Sequence, residues 1–422
     1  MKFVENINKE EYTKFVSTHQ TKSHFLESYE WGEISKKRGL KPYYVGLKNN
    51  ENKLVATALL LEKKLPLNYT YFYIPRGFVL DYKNTNLISV FTKKINEFTK
   101  KKKSIFFKID PDIKLHIIDK SAKHIDGENN YELVKFLKKI GYKKRKDTYH
   151  FETMQPKFTF RIDLSSSIEE IEKKYSTTTK QRIKKAEKYG IEVFEGNIDD
   201  IEIFCDLMKK TEKVKGFYSH DSNFYKDFFE EFSKNNNVTL YIGKADLDKV
   251  VDILNKDISQ ILENIEKLKK DENKNLKKIE DLQKRHDKIT KDIEYYNKFN
   301  ERIIYASAYL TVNYGDKSWA LYAGNNPEFK NLFANYLVYK YQIRNSKNMG
   351  IKTFDMFGTI GDPDKDSKYL GLHEFKKKFG GDYTEFIGEF DYVQNNILYL
   401  IYTKIIPLRH KIINKKLKKK VK

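Results

Sequence analysis

The sequence predicts an α/β protein of two tandem domains with a helical hairpin inserted in the second. Three observations carry this. Short runs rich in aromatic and β-branched residues alternate with helical periodicity over the first 150 residues, and a second such series begins at "QPKFTFRIDL". Between two later strand candidates lies a polar stretch whose isoleucines recur at three-four spacing. At 422 residues, 39% hydrophobic and 14% aromatic, the chain can bury two or three cores.

In the first domain, expected over residues 1–153, "YYVGLK", "LVATALLLEKKL" and "YTYFYIPRGF" read as strands. Asn86 to Lys101 is a helix striped by Leu87, Val90, Phe91, Ile95 and Phe98, and "SIFFKIDPD" is a strand ending in a turn. The second domain, expected over 154–400, opens with the strand "QPKFTFRIDL". One serine-capped helix is then predicted through "SSSIEEIEKKYSTTTKQRIKKAEKYG", with "IEVFEG" as the next strand.

"NVTLYIGKA" and "RIIYASAYLTVNYG" suit neighbouring strands. They are separated by an arm at 246–300 with Ile258, Ile261, Ile265 and Leu268 before a polar break and Leu276, Ile279, Ile289, Ile293 and Tyr296 after it. An antiparallel helical hairpin and a dimerising coiled coil share this periodicity, and both readings stand. Next come the strand "KSWALYAGNN", a helix starting at Asn326-Pro327 and ending near Gly350, and the strand "IKTFDMFG". A helix carrying Phe375 and Phe379 stops at Gly380-Gly381. "YTEFIGEFDYV" then reads as one strand with Phe386, Phe390 and Tyr392 on one face, and residues 383–395 are a candidate to complete the first domain.

Charge and motif content narrow the function. The 81 Lys+Arg against 59 Asp+Glu give a net charge of +22, which favours an anionic partner, although AT-rich coding also enriches lysine. One cysteine, Cys205 in a helical stretch, excludes a disulfide framework and fits a reducing cytoplasm; it reads as core. The N-terminus has no signal-peptide character and no stretch suits a membrane span. HExxH, CxxC, GxSxG and phosphate-binding glycine loops are missing, so a metal is not suggested and covalent nucleophilic catalysis has little support. "YAGNNPEF" lacks the glycine-rich turn that an acyl-CoA enzyme needs.

Cations cluster in three places. Lys36, Lys37 and Arg38 follow Trp31; Arg76 sits in "YIPRGF" between Pro75 and Gly77, where a planar anion could dock; and "TTTKQRIKKAEK" carries Lys180, Arg182, Lys184 and Lys185, candidates for nucleic-acid phosphate and too many for one helix face. The tail 401–422 is basic from Arg409 onward and is a candidate for an acidic membrane surface.

Taken in order, "FLESYEWGEISKKRG", "YIPRGFVLDY", "FKIDPD", "QPKFTFRIDLS", "QRIKKAEKYGIEV", "YAGNNPEFKN", "TFDMFGTIGD" and "GLHEFKKKFGGDYTEFIGEFD" resemble the Fem family of peptidoglycan bridge-forming aminoacyltransferases, which includes FemA, FemX and MurM. The resemblance implies two acetyltransferase-like (GNAT-type) domains, a cytoplasmic enzyme peripheral to the membrane, and the helical arm of the FemA and MurM branches. It implies transfer of Gly, Ala or Ser from aminoacyl-tRNA to the stem-peptide amine of lipid II or UDP-MurNAc-pentapeptide, without a cofactor and in a homo- or hetero-oligomer.

By position, Lys36 or Lys37 would contact precursor phosphate, and Lys213 with Lys215 nearby would stand where relatives have arginine. Tyr322 would contact substrate, Asp110 would lie near the acceptor amine, and Phe375-Lys376 would form the pair at the aminoacyl end. Two other readings remain at the level of sequence: an acyl-CoA-dependent N-acyltransferase, and a coiled-coil RNA-binding protein without activity.

Overall fold

A computed structural model describes residues 1–20, 22–119, 123–216, 218–270, 272–363 and 368–405. The basic tail from Arg409, with its expected membrane contact, lies outside the described residues. Contacts divide the chain into two compact units: Met1–Ser167 with Val312–Trp319 and the described part of Gly350–Lys422, and Ile168–Thr311 with Ala320–Met349. The sequence places 154–400 together, with 383–395 a candidate to complete the first domain; by contacts the boundary falls after Ser167, and the residues beyond Gly350 pack with the first unit.

The first unit begins with β1 (Lys2–Val4), α1 (Lys9–Thr18), α2 (Tyr29–Lys37), β2 (Lys41–Lys48), β3 (Leu54–Lys64) and β4 (Thr70–Ile74). Then come α3 (Thr85–Lys101), β5 (Ser104–Ile109), β6 (Lys114–Ile118), α4 (Tyr131–Lys139), β7 (Tyr142–Lys144) and β8 (Phe158–Asp163). Every side chain from Ala56 to Glu62 in β3 is buried, as befits a strand paired on both edges. Leu87, Ile88, Phe91, Ile95 and Phe98 of α3 pack onto this sheet with Phe72, Phe78 and Phe107, and Asn84 caps the helix by accepting from the Leu87 N–H.

The second unit contains α5 (Ile168–Lys173), α6 (Thr177–Lys188), β9 (Glu192–Gly196), α7 (Ile201–Lys215), α8 (Ser222–Ser233), β10 (Val238–Asp246), α9 (Leu247–Lys269) and α10 (Glu272–Tyr296). Strands β11 (Ile303–Tyr314) and β12 (Lys317–Asn325) carry residues of both units, and α11 (Ala334–Asn348) belongs to the second. The single helix predicted after Ser165 is two, because the Ser176 hydroxyl takes the Thr179 N–H and starts α6 anew. The helix predicted from Pro327 is also divided: a 3-10 turn ends at Leu332, and Phe333 takes a left-handed φ of 57° before α11. Helices α9 and α10 pack on each other, burying Ile261, Ile265, Ile279 and Ile289, whereas Leu276 is exposed. Cys205 is buried in α7.

The first unit resumes with β13 (Thr353–Asp355), α12 (Leu370–Lys377), β14 (Asp382–Phe386), β15 (Phe390–Val393) and the short α13 (Asn396–Leu400). The predicted strand "YTEFIGEFDYV" is therefore broken, with Gly388 at φ 87° in the turn, so Phe386 does not share a strand with Phe390 and Tyr392. β15 inserts between β5 and β7 in the sheet β1-β2-β3-β4-β5-β15-β7, where β4–β5 is the parallel pair. β14 instead joins the order β6-β14-β8-β13, and β13 pairs parallel with Lys317–Trp319 of β12.

Candidate active site

Parallel pairing of β4 with β5 sets Ile74 beside Ile109, so the residues leaving the two strands meet. Asp110 accepts hydrogen bonds from the Tyr73 hydroxyl (2.8 Å) and the Arg76 backbone N–H (2.7 Å). The second bond needs a sharp turn: Arg76 has φ 56° and Gly77 φ 82°, and a Cβ on Gly77 would come within 2.6 Å of the Tyr82 hydroxyl. Burial pushes the Asp110 carboxyl up to about 6, against the pull of Arg76 and Tyr73.

Asp110 and Arg76 line a cavity of about 10 Å³, room for one water-sized group, with Gln155, Lys157, Phe386 and Glu389. The Arg76 guanidinium is 4.9 Å from the Phe386 ring centre and donates to the Pro156 carbonyl at 3.4 Å, so it is a buried wall of the chamber rather than an open anion dock. Beneath it, the buried Lys22 donates to the Arg76 carbonyl (2.7 Å) and pairs with Glu27 (3.1 Å).

A second buried group adjoins Phe386. Arg161 of β8 bridges Asp112 (2.6 Å) and Asp355 (2.8 Å), its guanidinium 4.8 Å from the same ring. Burial works against the Asp112 carboxylate, yet Arg161 and Lys317 hold it well below the usual range. Asp355 also accepts from the Thr159 hydroxyl and from the Phe357 N–H at 2.8 Å, and Phe357 has a φ of 56°. Lys376 reaches this corner from α12 and donates to the carbonyls of Phe357 (2.6 Å) and Gly358 (2.7 Å). Burial pulls the ammonium down to about 7, with Asp355 opposing. Two of its three donors are thus committed to backbone. Phe375 is half-buried, its ring 5.3 Å from Phe379.

The remaining expected residues are spread more widely. Lys36 and Lys37 are exposed at the end of α2, and Lys36 lies 3.6 Å from Glu33. In the second unit, Lys213 and Lys215 are exposed at the end of α7, where Lys213 lines an open groove of about 640 Å³ with Lys209, Lys210 and Tyr218. Tyr322 is half-buried and sits edge-on to Phe224, Tyr225 and Phe228, and burial pushes its hydroxyl up. The α6 cations divide. Arg182 bonds the Tyr336 hydroxyl and lies 5.3 Å from the Phe333 ring centre, and Lys185 is half-buried 5.5 Å from that ring; Lys180 and Lys184 are exposed.

Sequence reasoning missed Arg161, Asp112, Asp355, Lys157 and the Lys22–Glu27 pair. A signal existed in "TFRIDL", where one arginine stands between Phe160 and Ile162, both buried, in an otherwise apolar part of the strand.

The FemAB family profile matches residues 7–405. The lipid II:glycine glycyltransferase of Staphylococcus epidermidis is 30% identical over 410 residues, covering 95% of each chain. That of Staphylococcus aureus is 28% identical over 431 residues, covering 98% of this chain and 99% of its own. A crystal structure of FemX superposes with a TM-score of 0.75 at 27% identity, covering 95% of this chain and 99% of that one. The chain belongs to the FemAB family.

Proposed function

We propose that the chain is a transferase that adds glycine, carried by tRNA, to an amine of lipid II in peptidoglycan bridge synthesis. The observation that carries this reading is end-to-end similarity to lipid II:glycine glycyltransferases, 95% of both chains in one case. The chamber at Asp110 supports it chemically. A primary amine is water-sized, and the Asp110 carboxyl in the chamber wall is a group that can take its proton.

In the proposed reaction the neutral amine attacks the ester carbonyl, forming a C–N bond as the ester C–O bond breaks. Asp110 accepts the proton that the nitrogen loses, and the departing ribose hydroxyl takes one up. A carboxylate with a pKa raised to about 6 remains a base at neutral pH and is a better one than an ordinary aspartate. Positioning supplies much of the acceleration, because the ester is already activated. Lys376 retains one N–H after its two carbonyl bonds, available for the oxyanion or a tRNA phosphate, and Phe375 stands beside it. Lys36, Lys37, Lys213, Lys215 and Tyr322 are proposed to contact the precursor, and the exposed Lys180 and Lys184 the tRNA.

The test mixes the purified protein with radiolabelled glycyl-tRNA and lipid II. RNase-sensitive transfer of label to lipid II is expected; RNA binding without transfer would overturn the reading. Parallel reactions with alanyl- and seryl-tRNA and with UDP-MurNAc-pentapeptide define the donor and acceptor.

A further inference from the structure

In the antiparallel pair β6–β14, His116 stands opposite Glu385, and a bridge between Ile118 and His124 returns the chain beside them. Nε2 of His116 lies 2.9 Å from Glu385 Oε2, and Nε2 of His124 lies 4.0 Å from the same oxygen. One ligand atom from each of the three residues falls within 4.8 Å of the others. We propose that His116, His124 and Glu385 form a binding site for a divalent transition metal, zinc above all.

Two imidazoles and one carboxylate are a donor set suited to zinc, with bonds of about 2.1 Å that place tetrahedral ligand atoms about 3.4 Å apart. The two separations from Oε2, 2.9 and 4.0 Å, bracket that value. His116 is 3% exposed, and its Nε2 stands 2.9 Å from Glu385 Oε2.

The surroundings select the required forms. The Tyr131 hydroxyl is 2.8 Å from His116 Nδ1 and 3.5 Å from His124 Nδ1; in the tautomers that carry the proton on Nδ1 it accepts from both rings, and each Nε2 is then the ligating atom. Lys157 holds the other Glu385 oxygen, Oε1, at 2.6 Å, and is itself paired with Asp147 at 2.8 Å. Oε2 therefore faces the histidines. His124 is 62% exposed, so its ring can adjust to the metal and the fourth position opens to water.

The test uses the full chain stripped with a chelator and titrated with Co²⁺, read by visible d–d absorption, followed by Zn²⁺ competition. One equivalent of Co²⁺ with low-coordinate absorption, displaced by Zn²⁺, is expected. Tyr131→Phe should weaken binding roughly 10–100-fold as loss of an outer partner, and His124→Ala, at an exposed position that leaves the fold intact, by more. Glu385→Gln should act like His124→Ala. No d–d absorption, or equal affinity in His124→Ala and the parent, would overturn the proposal and leave the trio as a histidine–carboxylate ion pair. Neither result depends on whether the chain transfers glycine.

Discussion

Lys376 and Asp110 are both buried ionisable groups, yet burial drives them in opposite directions, to about 7 for the lysine and about 6 for the aspartate. For Lys376, whose folded pKa is depressed, the associated stability is present above the unfolded value near 10.5 and is lost as pH falls through about 7. A thermal-denaturation series should therefore show parent stability rising between about pH 7 and 10 relative to Lys376→Met, whose profile lacks that component. Parallel profiles would mean that the lysine titrates normally.

Asp110→Asn keeps an acceptor for the Arg76 N–H but cannot take a proton. It should lower kcat for transfer on the order of 10²–10⁴-fold at neutral pH with KM for lipid II little changed. A proportional loss in kcat/KM arising from KM alone would assign Asp110 to binding. At this scale the sequence was partly legible. Asp110 and Lys376 lie in short contiguous motifs, "KIDPD" and "HEFKKKFGG", whereas Arg161 finds its partners 49 and 194 residues away, a pairing that only the folded sheet creates.

Helix α6 is an element whose charges look uniform in sequence and differ in structure. Arg182 and Lys185 sit against Phe333, with Arg182 also on Tyr336, while Lys184 projects outward. Lys184→Glu should weaken tRNA binding in a filter or mobility assay and leave Tm unchanged. Arg182→Ala should lower stability by about 1–2 kcal/mol, from lost cation–π contact and an orphaned hydroxyl, measured by urea unfolding. If Lys184→Glu binds tRNA like the parent, α6 is not a tRNA surface.

Element types were read well where periodicity ran unbroken, as in α3 and β3. They were misread where one residue restarts the backbone: Ser176 by capping, Phe333 and Gly388 by positive φ. None of these three changes the apolar pattern, which is why the pattern did not reveal them.

On the scale of the molecule, the mixed α/β class was legible, and so was the return of residues 383–395 to the first domain; what the sequence did not show is the split by which β15 fills the gap between β5 and β7 while β14 pairs with β6 and β8. Phe390 is fully buried there, and Asp391 pairs with Lys108 at 2.9 Å. Ending the chain after Gly388 leaves two unpaired edges flanking an apolar core. Such a variant should aggregate or bind hydrophobic dye. A soluble monomer with the parent Tm would mean that β15 is dispensable.

The same strand bears on how the protein is made. β5 meets its partner only when residue 390 joins Ile109, 281 positions later. At 5–20 residues per second a ribosome takes about 15–60 s to cover that distance. During that interval the nascent chain carries an open edge rich in isoleucine and phenylalanine, a template for pairing with other chains that vanishes once β15 arrives.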